Sequence, residues 1–242
     1  MGDNVHIAIL VTNTDDSAFA MAHPGDGEKF RALLGAVRPD WRFSEFRVAQ
    51  GEFPATLAGI DGVVVTGSPA SVHDADPWIA ELMALIRRAR MVELPMFGAC
   101  FGHQAIALAL GGKVDANPGG WVLGRVDTVV AGLGPIALYA AHSEQVTQLP
   151  PEATAIATTL GCRIAAFVIG DCVLTTQYHP EMTDDFFAAL TEEFAGQVSD
   201  AVIAQSRASL TKPAEGGRLA EKVAVFFEQA QDRAASRSIA VT

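Results

Sequence analysis

The most informative stretch of this sequence is LPMFGACFGHQ, residues 94–104. Its apolar first part, Leu94–Ala99, predicts a short buried strand, and a helix follows almost at once. A strand that enters Gly-x-Cys-x-Gly and then a helix is the layout of a nucleophile elbow, whose turn residue has a strained backbone. The pattern predicts that Cys100 projects above a sheet at a helix N-terminus, which favours thiolate over thiol. The next backbone N–H, that of Phe101, can then donate to an oxyanion.

The segments around this elbow alternate between strand-like and helix-like patterns. Strands are predicted before it at Val5–Val11, Arg42–Val48 and Asp61–Thr66, and helices at Glu28–Val37 and Pro77–Arg90. The helix after the elbow is predicted at His103–Leu110. Because parallel strands need crossover connections, this order predicts a parallel sheet with helices on both faces.

The second half of the chain changes character. Short strands with turns between them are predicted at Arg125–Ala131, Ile136–Ala141, Thr154–Thr159, Arg163–Ile169 and Val173–Gln177. Helices are predicted at Asp184–Ala208 and Leu219–Arg233. The fold class expected from these elements is α/β: a three-layer sandwich with a mostly parallel central sheet, some antiparallel strands and a helical C-terminal extension.

Composition narrows the classes of function. Of the 242 residues, half are hydrophobic and 19% are charged, so extensive disorder is not expected. The formal net charge of −11 argues against general binding to nucleic acid or to an anionic membrane. The first six residues lack a basic segment followed by an apolar core, so no signal peptide is expected and the predicted location is cytoplasmic.

Three cysteines form too sparse a set for a disulfide framework, and no CxxC pair indicates structural zinc. Cys162 and Cys172 lie in strand-like runs, where a cysteine is usually a small buried hydrophobic residue. Cys100 differs from both because of its glycine-flanked position between strand and helix.

His179 is the best-placed partner for a cysteine nucleophile. It follows the apolar strand Val173–Gln177, and Glu181 lies two residues further on. Residues i and i+2 of an extended segment point the same way. The Glu181 carboxylate can therefore hold the imidazole tautomer and stabilise the imidazolium. The sequence predicts a catalytic set of Cys100, His179 and Glu181.

The chain resembles the class I (triad-type) glutamine amidotransferase domains. The resemblance extends over residues 5 to about 190 and rests on the elbow at 98–104 together with residues 66–69, 110–114, 117–120, 142–150 and 177–181. It is most similar to the stand-alone type related to the glutaminase half of GMP synthetase, which also includes γ-glutamyl peptidases. The resemblance implies a flavodoxin-like domain at residues 1–195, with residues 196–242 as a helical extension packed on or next to it.

The resemblance also implies roles for further residues. Gly67 would supply a second oxyanion N–H opposite that of Phe101. Gln104 would contact the bound glutamyl group, although its position on a helix allows a plain surface role as well. Three consecutive residues would line the pocket for the α-amino and carboxylate groups: His142, Ser143 and Glu144. Glycine often replaces Ser143 in the family, and aspartate often replaces Glu144, which leaves the γ-glutamyl substrate open. His103 is interpreted as a packing residue.

The expected activity is cleavage of the γ-amide of glutamine or of a γ-glutamyl compound through a glutamyl thioester. No cofactor or metal is required by these steps, and none is expected. The expected partner is the small-molecule substrate. Three hypotheses stay open: an independent γ-glutamyl hydrolase or transferase, a glutaminase subunit that delivers ammonia to a separate synthase chain, and a catalytically silent binding or regulatory member of the family.

Overall fold

The computed structural model describes residues 5–240, apart from the side chains of residues 234, 235 and 237–240. Residues 1–4, part of the segment on which the signal-peptide expectation rests, lie outside this range. In the described chain no helix is both long and apolar enough to span a bilayer.

In the described part of the chain, the strands form two sheets. The strands are β1 His6–Leu10, β2 Arg42–Phe46, β3 Gly62–Val65, β4 Met96–Ala99, β5 Lys113–Ala116, β6 Val122–Val130, β7 Gly134–His142, β8 Glu144–Gln148, β9 Ala153–Thr159, β10 Cys162–Ile169 and β11 Val173–Thr176. The large sheet has the order β2-β1-β3-β4-β11-β10-β9-β6-β7. Strands β2 to β11 along this order pair in parallel, and the remaining pairings are antiparallel.

Within residues 5–240, seven helices accompany the sheets, and a short 3-10 turn lies at Val48–Gln50. The helices are α1 Ala18–Met21, α2 Asp26–Val37, α3 Pro77–Met91, α4 Phe101–Ala109, α5 Asp184–Glu193, α6 Asp200–Ser209 and α7 Gly216–Ala240. They lie on both faces of the large sheet. The predicted three-layer α/β sandwich with parallel and antiparallel strands is therefore confirmed.

The two faces of the sheet have separate cores. Helices α3 and α4 cover one face with residues such as Leu82 and Ile106. Helices α2 and α7 cover the other, where Phe30 and Phe227 are fully buried. The central strands β3 and β4 are buried along their whole length, which explains their unbroken apolar sequences. The site-bearing strand β4 thus lies in the middle of the molecule, between β3 and β11.

The C-terminal helix α7 belongs to this packing. Leu219, Val223 and Phe227 are buried on the sheet. The Arg38 guanidinium at the end of α2 pairs with Glu221 at 2.9 Å and with Glu228 at 2.5 Å. Helix α7 thus covers the same core as α2. The boundary at residue 195 stays a prediction.

Several local predictions were wrong, and two features had not been predicted. The helix predicted at Asp184–Ala208 is two helices, because the chain turns at Gly196, whose φ is +82°, and Ser199 caps α6 through Val202 N–H. Helix α1 and the small sheet of β5 and β8 were not predicted, and the two strands of this sheet are short and largely polar. Cys172 lies in the turn before β11 instead of in a strand. Helix α4 begins at Phe101, two residues earlier than predicted.

Candidate active site

The turn between β4 and α4 has the geometry of a nucleophile elbow. Cys100 has φ +51° and ψ −107°, a strained conformation for a residue with a side chain. A Cβ on Gly98 would lie 2.6 Å from Gly102 O, and a Cβ on Gly102 would lie 2.2 Å from Val65 O. Both flanking positions therefore require glycine, as the Gly-x-Cys-x-Gly pattern predicts.

The Cys100 sulfur lies in a polar setting although the residue is only 5% exposed. Its backbone N–H donates to Thr176 O of β11 at 2.9 Å, which ties the elbow to the neighbouring strand. Sγ is 3.8 Å from Ala141 O, and Gln177 Nε2 donates to Sγ at 3.7 Å. The sulfur also precedes the first turn of α4, where free N–H groups and the helix dipole stabilise a thiolate.

His179 and Glu181 form a buried pair beside this sulfur. The Nδ1 of His179 is 2.7 Å from Glu181 Oε1, and His179 N–H donates to Tyr139 O at 2.8 Å. Gly67 lies against both His179 and Cys100, so the imidazole is beside the cysteine side chain. Burial lowers the pKa of His179, but the Glu181 carboxylate and Cys100 outweigh it, so the pKa lies well above 6.5. The three residues predicted as a catalytic set therefore lie together.

The other two cysteines lack these features. Cys162 is buried in β10, and burial raises the pKa of its thiol to about 12. Burial also raises the pKa of the Cys172 thiol, whose Sγ lies 3.8 Å from Glu93 O. Neither thiol is set up as a thiolate nucleophile.

Gly67 lies against the candidate triad. A Cβ at this position would be 2.8 Å from His179 Cε1 and 3.7 Å from Cys100 Cβ. Within residues 5–240, neither Gly67 N–H nor Phe101 N–H donates a hydrogen bond to another group of the protein. Two backbone donors close to the sulfur are thus unengaged, as an oxyanion hole requires.

Gln104 is 4% exposed, which excludes the surface role that the sequence left open. Its Nε2 donates to Glu144 O at 2.8 Å and to Gln177 Oε1 at 3.3 Å. Gln177, fully buried, in turn contacts Cys100 Sγ. Gln177 was not predicted as a site residue. It lies two residues before His179 in an extended segment, however, so both side chains point to the same side.

His142, Ser143 and Glu144 all line the cavity that contains Cys100. The Nδ1 of His142 lies 3.0 Å from Glu144 O, and burial lowers the pKa of this histidine to about 4, so its imidazole is neutral at pH 7. The Glu144 carboxylate accepts from Ser71 Oγ at 2.9 Å. A neutral ring and a fixed carboxylate therefore stand at the pocket wall.

His103 lies under the elbow and not in the cavity. Its Nδ1 is 2.8 Å from Thr175 Oγ1, and burial lowers its pKa to about 3. A neutral, fully buried imidazole fits the packing role that was predicted.

The cavity above Cys100 has a volume of about 890 Å³. It continues past the candidate triad between α5 and the segment that contains α1. Among the described residues, no group of three or more His, Cys, Asp or Glu side chains could hold a metal ion.

Comparison with known proteins agrees with this geometry. Residues 40–195 match the family described as glutamine amidotransferase class-I. The chain belongs to this family. The match includes the elbow and the segment with His179 and Glu181, so the resemblance seen in the sequence is confirmed.

Individual relatives of this class-I chain point the same way. Gamma-glutamyl peptidase 4 of Arabidopsis thaliana is 28% identical over 92% of this chain and 95% of its own length. A glutamine amidotransferase structure from Methylobacillus flagellatus superposes with a TM-score of 0.72 at 23% identity, covering 93% of this chain and 94% of its own. One from Thermotoga maritima gives 0.70 at 18% identity, covering 95% and 96%. These two structures confirm the flavodoxin-like fold.

Proposed function

We propose that this protein is a cysteine-dependent amidohydrolase that cleaves the γ-amide of glutamine or of a γ-glutamyl compound through a glutamyl thioester. The observation that carries the proposal is the position of Cys100, at a strained helix N-terminus, beside the buried His179–Glu181 pair. The amidohydrolase class is that of the family and of the peptidase relatives. The thioester intermediate follows from the choice of a cysteine as the nucleophile, because its sulfur forms the bond to the γ-carbonyl carbon.

The first half-reaction uses the thiolate and the imidazolium. The Cys100 thiolate attacks the γ-carbonyl, and the amide N–H groups of Gly67 and Phe101 stabilise the tetrahedral oxyanion. His179 then donates its proton to the departing nitrogen, and the C–N bond breaks as ammonia or an amine leaves. The raised pKa of His179 keeps this proton available at neutral pH.

The second half-reaction uses the same histidine as a base. Neutral His179 takes a proton from water, hydroxide attacks the thioester, and glutamate is released with regeneration of the thiolate. Glu181 holds the ring in one tautomer during both steps. Gln104 and the segment His142–Glu144 hold the glutamyl group, because they line the cavity beside the sulfur.

An independent hydrolase is the first candidate, and a glutaminase subunit for a separate synthase chain is the second. The relative named gamma-glutamyl peptidase covers nearly the whole chain, and the cavity extends well beyond the sulfur. The second candidate is favoured by a GMP synthase (glutamine-hydrolyzing) of Porphyromonas gingivalis, 31% identical over 141 residues. That match covers 54% of this chain and 27% of the synthase.

A substrate panel tests the proposal. Purified protein is incubated with glutamine and with a series of γ-glutamyl amides, and the released ammonia or amine is measured. Activity should be present in the wild type and lost in Cys100→Ser, while Cys172→Ser, a matched change outside the cavity, should keep it. Equal behaviour of wild type and Cys100→Ser across the panel would instead favour a catalytically silent member of the family.

A further inference from the structure

The cavity above Cys100 is much larger than a glutamine side chain needs. Its volume of about 890 Å³ falls in the range of sites that enclose drug-sized ligands. The part beyond His179 lies between α5 and residues 13–26. An inference about this part rests on the proposed function, because the cleaved bond must lie at Cys100.

One wall of this extension is an apolar stripe. Met182, Phe186, Leu190 and Phe194 are spaced by four residues, line the cavity and are only partly buried. Residues four apart lie on one side of a helix. The adjacent side of α5 packs into the core through Phe187, and Met182, Leu190 and Phe194 also pack partly against that core. The stripe is therefore apolar surface that the rest of the protein leaves partly uncovered inside the cavity.

The facing wall is also aromatic. The Phe186 ring lies 5.8 Å from that of Phe19 and 5.2 Å from that of His23, centroid to centroid. At the other end of the stripe, Trp121 lies 5.1 Å from Phe194. These contacts close the two ends of the stripe, and the lining between them bounds a slot that is part of the cavity. A slot that continues to the catalytic sulfur fits a small molecule better than a protein surface.

A buried polar network holds the facing wall in place. Lys29 Nζ pairs with Asp26 at 2.9 Å, with both side chains nearly buried, and lies 3.5 Å from the Phe186 ring centroid. Asn13 donates to the same carboxylate at 2.8 Å. Because the wall is fixed before a ligand arrives, binding requires little ordering.

The rim of the slot is acidic. Asp15, Asp16 and Glu193 are exposed, line the cavity and make no ion pair within the described chain. Arg47 is an exposed cation that lines the same cavity, and Lys29 is already neutralised by Asp26. A rim with excess negative charge disfavours a ligand carboxylate and favours a neutral or cationic group.

We propose that the slot is a leaving-group subsite, and that the preferred substrates are γ-glutamyl amides of apolar, aromatic amines that carry no carboxylate. The amide C–N bond breaks as the bond between Cys100 sulfur and the γ-carbon forms, and His179 transfers its proton to the amine nitrogen. The free amine then takes a further proton from water and leaves as a cation past the acidic rim. Water hydrolyses the thioester to glutamate.

Four substrates in a two-by-two design separate the effect of the aromatic ring from the effect of the carboxylate. γ-Glutamyl-ethylamide and γ-glutamyl-phenethylamide differ by a phenyl ring that is remote from the scissile nitrogen. γ-Glutamyl-alanine and γ-glutamyl-phenylalanine add a carboxylate to each. We expect kcat/KM to rise about tenfold or more with the ring. The carboxylate should lower it about threefold at low ionic strength and much less at about 1 M salt, where rim charges are screened.

Two variants locate the effect. Phe186→Ala should bring the phenyl preference close to one, whereas Phe53→Ala removes the same ring from a half-buried position outside the cavity and should keep the preference. Thermal melting of both variants checks the fold. If Phe186→Ala does not fold, Phe186→Leu replaces it, and the ring preference should then fall about threefold or more.

The outcomes are distinct. Cleavage that depends on Cys100 but is equal for ethylamide and phenethylamide would overturn the subsite and leave the proposed function standing. A phenyl preference that survives in both Phe186 variants would also overturn it. Faster cleavage of γ-glutamyl-phenylalanine than of the phenethylamide would overturn the exclusion of carboxylates and point to Arg47. No cleavage of any amide or of glutamine would overturn the proposed function and this inference together.

Discussion

Two buried cysteines of the same sheet show how little burial alone says about a thiol. Cys100 in the β4–α4 turn is 5% exposed, and Cys162 at the start of β10 is 1% exposed. Cys162 is surrounded by apolar side chains of one core, and burial raises its pKa to about 12. Cys100 has a strained backbone, a helix N-terminus and the His179 imidazole beside it. The local backbone and the neighbouring charge are the features on which we propose Cys100 as the reactive cysteine and Cys162 as a structural one.

Removing the two thiols in turn should give the largest contrast. Cys100→Ala should lower kcat by about 10⁴ or more, because the thioester can no longer form. Cys162→Ala should change kcat less than about threefold, since its sulfur contacts no substrate. The measurement is amine release from one γ-glutamyl amide under saturating conditions. Comparable losses of kcat in both variants would contradict the proposal that Cys100, and not Cys162, is the nucleophile.

Glu181→Gln should lower kcat by about 10² to 10⁴, because the amide no longer fixes the imidazole tautomer. The pKa of His179 should fall as well, because the negative charge of the Glu181 carboxylate raises it in the wild type. The imidazolium would then be lost at a lower pH than in the wild type. Titration of the His179 ring by NMR tests this. An unchanged pKa with full activity would show that the pair is only structural.

Gly67→Ala should lower kcat by about 10², the usual loss for a disturbed oxyanion donor. Its new methyl group would lie 2.8 Å from His179 Cε1, so the imidazole ring would have to move from its position beside Cys100. Gly217→Ala, on the outer side of α7 with open space around its Cβ, is the matched control. Steady-state kinetics of both variants measure this difference in kcat. A fully active Gly67→Ala would exclude a close approach of residue 67 to the catalytic groups.

Cys162→Ser should give the smallest effect and should act on stability alone. A hydroxyl in the apolar surroundings of Cys162 costs about 1–3 kcal/mol of the free energy of unfolding if it finds no partner. Denaturant unfolding of this variant measures the loss, and the activity per folded molecule should stay that of the wild type. A loss of activity without a loss of stability would reverse the roles of the two cysteines.

The same contrast explains what the sequence could predict. The elbow was predictable because Gly98 and Gly102 flank Cys100 for steric reasons that act within a few residues. The alternating elements of the first half were predictable from their apolar patterns. The pairing of Glu181 with His179 was predictable, because residues two apart in an extended segment point to the same side. The assignment of Cys162 to a buried strand also followed from its apolar neighbours.

Other features depend on contacts between distant segments, and the sequence pattern did not contain them. The break between α5 and α6 is a turn at Gly196 within a pattern that suits a continuous helix. Strands β5 and β8 pair across about 30 residues and carry mostly polar side chains. The Gln177 side chain hydrogen-bonds with Gln104 and Cys100, which lie on other elements. The aromatic slot likewise forms from α5 and residues far from it in sequence.

The central claim is that Cys100 alone among the three cysteines is a nucleophile. A γ-glutamyl electrophile, a glutamine analogue with a reactive ketone, tests it directly: the protein is labelled at pH 7, digested and analysed by mass spectrometry. We expect one equivalent of label on Cys100, none on Cys162 or Cys172, and protection of Cys100 by excess substrate. Label on Cys162 or Cys172 with Cys100 unmodified would contradict it.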